Sequence, residues 1–146
     1  MAPPPLPLVR PWLDWPWQLR WGILLAYAGI VTWLSLAPAA TFARFPLFIS
    51  HQDKVIHFLL YGFLVLLARW ATTSHWTVRP AFLVVVVGAI AYGSLMEFVQ
   101  GRLVNYHRSL EFGDILANSL GALCFWWLSR LMFVSPPRSF PPTQTE

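Results

Sequence analysis

Residues 80–100 read PAFLVVVVGAIAYGSLMEFVQ, an apolar run that ends in a carboxylate, Glu97, and an amide, Gln100. A helix of about 20 apolar residues crosses the hydrocarbon core of a bilayer, so this run predicts a membrane span. A carboxylate costs about 2.5–3.5 kcal/mol to place at the centre of a membrane helix. A chain tolerates that cost when the group pairs with another or does work. Glu97 and Gln100 are three residues apart and share a helix face, with Gly93 one turn earlier leaving room for a close neighbour.

Working outward, two more apolar runs carry polar groups at the matching end. Residues 54–70 are preceded by Asp53 and open on Lys54 and His57; Asp53, His57 and Tyr61 recur at i, i+4, i+8, along one face. Residues 112–134 open on Asp114, Asn118 and Gly121, at i, i+4, i+7. A fourth run, residues 21–37, lies upstream and holds Gly22 and Ala26 as a small-xxx-small pair. The sequence Leu36-Ala37-Pro38-Ala39-Ala40 resembles a signal-peptide cleavage site, but the long Pro- and Trp-rich stretch before the run argues for a retained membrane helix.

Composition agrees. The chain is 57% hydrophobic and 11% charged, with mean hydropathy +0.55, whereas about a quarter of a soluble domain is charged. The expected fold is an all-α integral membrane protein, a four-transmembrane-helix bundle in residues 19–134. A short interfacial segment, with Phe42, Phe45, Leu47, Phe48 and Ile49 beside Arg44, joins its first two helices. Residues 1–18 read as a Pro/Trp-rich tail in which Pro3, Pro4, Pro5, Pro7, Pro11 and Pro16 forbid a continuous helix. Residues 135–146 read as a disordered tail. Cys124 lies in an apolar run, where packing is the expected role.

Arg10, Arg20, Arg69, Arg79, Arg130 and Arg138 fall on the side of the termini; Arg44, Lys54, Arg102 and Arg108 fall on the other. The positive-inside rule then places both termini in the cytoplasm and the polar ends outside. Trp12, Trp15, Trp17, Trp21, Trp70, Trp76, Trp126 and Trp127 also gather on the terminal side. Net charge is a modest +4 without a basic run, so nucleic acid is not an expected partner.

Polar faces avoid lipid, so the three are expected to meet in one hydrophilic pocket. Lys54 and Arg108 suit an anionic head group. Glu97, Gln100, Asp114 and Asn118 would shape the site, and His57 with Glu97 or Asp114 could form an acid–base pair. The bland alternative is buried ion pairing that sets helix register, since Asp53, Glu97 and Asp114 nearly balance Lys54 and Arg108. A metal site could be assembled from His57, Glu97 and Asp114, but no short ligand motif such as HExxH occurs, so neither metal nor cofactor is expected.

These motifs resemble the VanZ-like membrane protein family. The matching residues are Ser35-Leu36-Ala37-Pro38, Asp53-Lys54-Val55-Ile56-His57-Phe58 with Tyr61, Glu97-Phe98-Val99-Gln100, Arg108, and Asp114-Ile115-Leu116-Ala117-Asn118 with Gly121. They span about residues 20–130, in the family's order and spacing. The resemblance implies a small polytopic protein of the bacterial cytoplasmic membrane, in a family whose founding member is linked to low-level teicoplanin resistance. The function expected is binding of an anionic amphiphile, such as a lipid-linked wall precursor or a lipoglycopeptide. The alternatives are an enzyme acting on a lipid, or a structural subunit with a membrane-protein partner.

Overall fold

The computed structural model describes residues 11–37, 52–73, 78–102 and 111–133. The expected interfacial segment, the C-terminal tail, the first ten residues and Arg108 lie outside the described residues. Every regular element among the described residues is helical, and four helices are long and apolar enough to cross a membrane. They are α1 (Trp17–Leu36), α2 (Gln52–Thr72), α3, which runs through Val78–Phe82, Leu83–Val87 and Gly88–Arg102, and α4 (Phe112–Phe133). A single short turn of 3-10 helix, Pro11–Leu13, precedes α1.

Helix α1 starts earlier than its apolar run suggests. Pro16 ends the proline-rich stretch with its carbonyl accepting from the N–H groups of Leu19 and Arg20 at 3.0 and 3.2 Å. Trp17, expected in the tail, therefore sits in the first helical turn. Pro at the helix edge is harmless because its missing N–H is one the first turn leaves unpaired anyway.

Helix α3 contains a wide turn over Leu83–Val87. Its buried face includes Ala81, Val85, Ala89, Gly93 and Glu97, in steps of four. Steps of four drift about 40° each on an ideal helix of 3.6 residues per turn. The π-type turn has more residues per turn and takes up part of that drift, which helps keep Glu97 on the face that Ala81 and Val85 begin.

Cross-contacts fix an up-down-up-down arrangement. At the terminal end, Arg20 Nη1 donates to the carbonyl of Trp70 at 3.1 Å, and Phe82 of α3 meets Trp126 of α4 edge-on at 5.3 Å. The Arg20 contact satisfies a carbonyl in the last turn of α2, where a cation is also favoured by the helix dipole. At mid-height, Tyr27 Oη donates to the carbonyl of Leu60 at 3.1 Å, and Tyr92 Oη donates to the carbonyl of Ala28 at 3.0 Å. At the far end, Gln100 donates to the carbonyl of Ser35, tying α3 to α1.

Helices α2 and α4 form the most extensive pair. Gly62 of α2 lies under the Phe125 ring, and Gly121 of α4 against the backbone of Phe58. Small residues that let backbones approach are the usual basis of helix pairing in lipid. The core inside the bundle is Val31, Tyr61, Val65, Val86, Ala122 and their neighbours. Leu25, Trp33, Leu83, Leu95, Leu116, Trp127 and Leu131 are exposed on the outside. An apolar surface of this extent is compatible with a lipid surround.

Candidate functional site

The polar ends of α2, α3 and α4 converge. His57, Glu97, Asp114 and Asn118 are all buried, Glu97 and Asn118 to 1% exposure. His57 Nδ1 lies 3.1 Å from Asn118 Oδ1 and 3.6 Å from Glu97 Oε1. His57 Nε2 lies 3.8 Å from Asp114 Oδ2. The contact with Asn118 is a hydrogen bond; the two imidazole–carboxylate separations are longer than one. The imidazole thus sits between α3 and α4, with a carboxylate facing each of its nitrogens.

Lys54 stands above this layer, toward the helix ends. Its Nζ donates to Asp53 Oδ2 at 3.0 Å, Glu111 Oε2 at 2.9 Å and Asp114 Oδ1 at 3.1 Å. A lysine at a helix N-terminus meets the unfavourable end of the dipole; three carboxylates offset that here. Asp114 divides its two oxygens, Oδ1 to Lys54 and Oδ2 toward His57. It is the link between the half-exposed lysine cluster and the buried histidine. Gly113 leaves the space the lysine arm occupies: a β-carbon there would stand 2.8 Å from Lys54 Cε.

Below the histidine layer, Tyr61 is buried to 1% exposure, with its ring beside Gly93. A β-carbon at Gly93 would stand 2.9 Å from Tyr61 Cε1 and 3.0 Å from Asn118 Nδ2. Gly93 therefore makes the close approach among α2, α3 and α4 that the spacing of the third run suggested.

The nine residues singled out in the sequence divide as follows. His57, Glu97, Asp114 and Asn118 meet directly. Lys54 joins them through Asp114. Tyr61 forms the floor. Asp53, in the first turn of α2, is exposed on the rim although it shares a helical face with His57. Gln100 is buried but turns to α1, where it holds the carbonyl of Ser35. Arg108 lies outside the described residues.

Glu111 is a contributor outside the residues singled out in the sequence, held 2.9 Å from Lys54 Nζ. A signal existed: it precedes Asp114 by three residues, and Asp114 N–H donates to its carbonyl at 3.1 Å, within the turn that starts α4. Also unanticipated are two buried arginines at the opposite end, Arg20 and Arg69; the Arg69 guanidinium lies 5.6 Å from the centre of the Trp126 ring.

Among the described residues of the cluster, four carboxyl groups, those of Asp53, Glu97, Glu111 and Asp114, stand against one lysine, Lys54, and one imidazole, His57. Lys54, read in the sequence as a contact for an anion, is already held by three carboxylates. The nearby Arg102 guanidinium rests over the Phe98 ring at 4.5 Å.

A separate cavity of about 270 Å³ opens between α1, α2 and α3, lined by Trp21, Leu24, Ala28, Leu64, Val85 and Tyr92 among others. Its walls are almost wholly apolar, and it lies on the terminal side of the polar cluster.

Comparison of the chain with protein-family models, with curated proteins and with solved structures finds no match.

Proposed function

We propose that this chain is a VanZ-like multi-pass protein of the bacterial cytoplasmic membrane, with both termini cytoplasmic, that binds the polar head of a membrane amphiphile at its outer end. The amphiphile would be a lipid-linked envelope precursor or a lipoglycopeptide, with its tail lying along the apolar cavity between α1, α2 and α3. The observation that carries this reading is the buried convergence of His57, Glu97, Asp114 and Asn118 from three helices at one end of the bundle. Apolar side chains hold a bundle together at least as well as buried ion pairs. Four buried polar groups at one depth are thus more than helix packing requires, and intramembrane ionisable groups usually mark a site.

The same arrangement also favours a second reading. Mutual pairing of Lys54 with three carboxylates is what a purely structural cluster would show, with the protein serving as a subunit of a larger membrane complex. Glu97→Gln separates the two. Lipid retained by the purified protein is measured by native mass spectrometry, beside membrane abundance and thermal stability in detergent. Lipid lost at normal abundance and stability supports the binding site. Lost stability and abundance supports the structural role. Lipid retention equal to wild type at normal stability rejects the site.

A further inference from the structure

His57 is addressed by two carboxylates at once. Its Nδ1 is 3.6 Å from Glu97 Oε1 and its Nε2 is 3.8 Å from Asp114 Oδ2. A neutral imidazole has one N–H and one bare lone pair. Whichever nitrogen carries the hydrogen, the other turns a lone pair toward a carboxylate oxygen. Asn118 Oδ1, 3.1 Å from Nδ1, is an acceptor for a hydrogen on that nitrogen, which in a neutral ring leaves the Nε2 lone pair facing Asp114. Two such atoms held face to face in a buried site are joined by a shared cation, either a proton or a metal ion.

We infer that His57, Glu97 and Asp114 form a binding site for one divalent first-row transition-metal ion. A nitrogen of His57 and one oxygen from each carboxylate lie within 4.8 Å of one another. Bonds of about 2.0–2.2 Å place two donors on one ion roughly 3.3–4.3 Å apart, from tetrahedral to opposed geometry. The 3.8 Å between His57 Nε2 and Asp114 Oδ2 already falls in that range; Glu97, whose Oε1 faces Nδ1 at 3.6 Å, has to turn its carboxylate toward the Nε2 side to complete the set. The Asn118 contact is of the kind that ligating histidines make: the ring nitrogen away from the metal donates to an oxygen that fixes tautomer and orientation. A second feature is charge. The cluster holds four carboxyl groups against one lysine, and a divalent ion would offset part of that excess. Access is provided by Asp53 and Glu111, half-exposed acids at the mouth, which attract cations from the outer interface.

The donor set selects the class of ion. Imidazole favours zinc, copper, iron and nickel, while carboxylates alone would suit magnesium, calcium or manganese. One imidazole with two carboxylates therefore points to zinc or a neighbour, over magnesium. Three protein ligands leave a position open for a ligand oxygen. A bound ion would also remove the charge objection to an anionic head group beside these carboxylates. The inference itself rests on the geometry of the cluster and not on the amphiphile reading.

The test uses full-length, untagged protein in detergent, stripped with chelator and titrated with Zn²⁺ against a chromogenic competitor, with no lipid added. One equivalent is expected, undisplaced by equimolar Mg²⁺. His57→Ala and Asp114→Asn should each weaken binding by at least about 100-fold, and Asn118→Leu by about 10- to 100-fold. Ser119→Ala, whose hydroxyl donates to the carbonyl of Ile115 within α4, should bind as wild type does. X-ray absorption of the zinc-loaded wild type, which needs no variant to fold, should show one imidazole and otherwise oxygen donors. Failure of the wild type to take up one equivalent overturns the site, as does a His57→Ala protein that is monodisperse and binds unchanged, or a spectrum without imidazole. That would leave an imidazolium held by the two carboxylates. Because lipid plays no part, this outcome is independent of the lipid-retention result for Glu97→Gln.

Discussion

Gly121 of α4 lies directly against the backbone carbonyl of Phe58 of α2. Phe58 follows His57, and Gly121 is three residues past Asn118. The close crossing therefore holds the histidine within reach of the amide, 3.1 Å away. A β-carbon at position 121 has no side chain to push aside, only backbone. Gly121→Ala should lower stability by at least the roughly 1–3 kcal/mol typical of overpacking, read as a fall in thermal midpoint in detergent. Gly22→Ala, where nothing stands within 4 Å, is the control and should be neutral or slightly stabilising, since Gly in a helix interior is about 0.5–1 kcal/mol worse than Ala. Equal effects at the two glycines would contradict the crossing.

Gly93→Ala should behave differently. Its neighbours are the Tyr61 ring and the Asn118 amide, both side chains that can shift. A smaller loss of stability is expected than at Gly121, together with a displaced Asn118 and weaker retention of lipid and of Zn²⁺. Unchanged retention of both would show that the Asn118–His57 contact does not organise the site.

The three carboxylates on Lys54 are not equivalent. Asp53 and Glu111 are about half exposed, while the Asp114 side chain is 12% exposed. Exposed pairs contribute about 0–1 kcal/mol. Asp53→Asn and Glu111→Gln should therefore leave the thermal midpoint nearly unchanged, and Asp114→Asn should lower it distinctly. A ranking with Glu111→Gln the most damaging would place the energetic centre at the rim instead of the buried layer.

Topology can be read with two single cysteines on a Cys124→Ser background. Asp14→Cys precedes α1 and Arg102→Cys ends α3, both at exposed positions on opposite ends of the bundle. With cytoplasmic termini, a membrane-impermeant thiol reagent should label position 102 in intact cells and spare position 14. The reverse pattern would invert the orientation and put the polar cluster on the cytoplasmic side.

Much of the architecture was legible because lipid imposes a length and a polarity. The apolar runs at residues 54–70 and 80–100 fall within α2 and α3, the run at 112–134 matches α4 over its described residues Phe112–Phe133, and the run at 21–37 fits α1 to within one residue at its C-terminal end. Helix ends were less legible: Trp17 joined α1 because Pro16 is compatible with the edge of a helix. The convergence of His57, Glu97, Asp114 and Asn118 was readable from shared faces, since isolated polar groups avoid lipid. Cys124, expected to pack, is exposed on the surface of α4; one cysteine in an apolar run carries no information about which way it faces.

By itself the sequence determined that four helices form, that each is long enough to cross a membrane, and that the polar ends of three coincide. Hydrophobic length and helical period are local properties, and a chain carries them in its order of residues. Only the tertiary structure decided who meets whom. It gave Lys54 to Glu111 as well as to Asp53 and Asp114, turned Gln100 away to the carbonyl of Ser35, and set the imidazole of His57 between two carboxylates. Those choices depend on the rotation and crossing of each helix. These are set by non-local contacts, such as Gly121 on Phe58, that no single helix encodes.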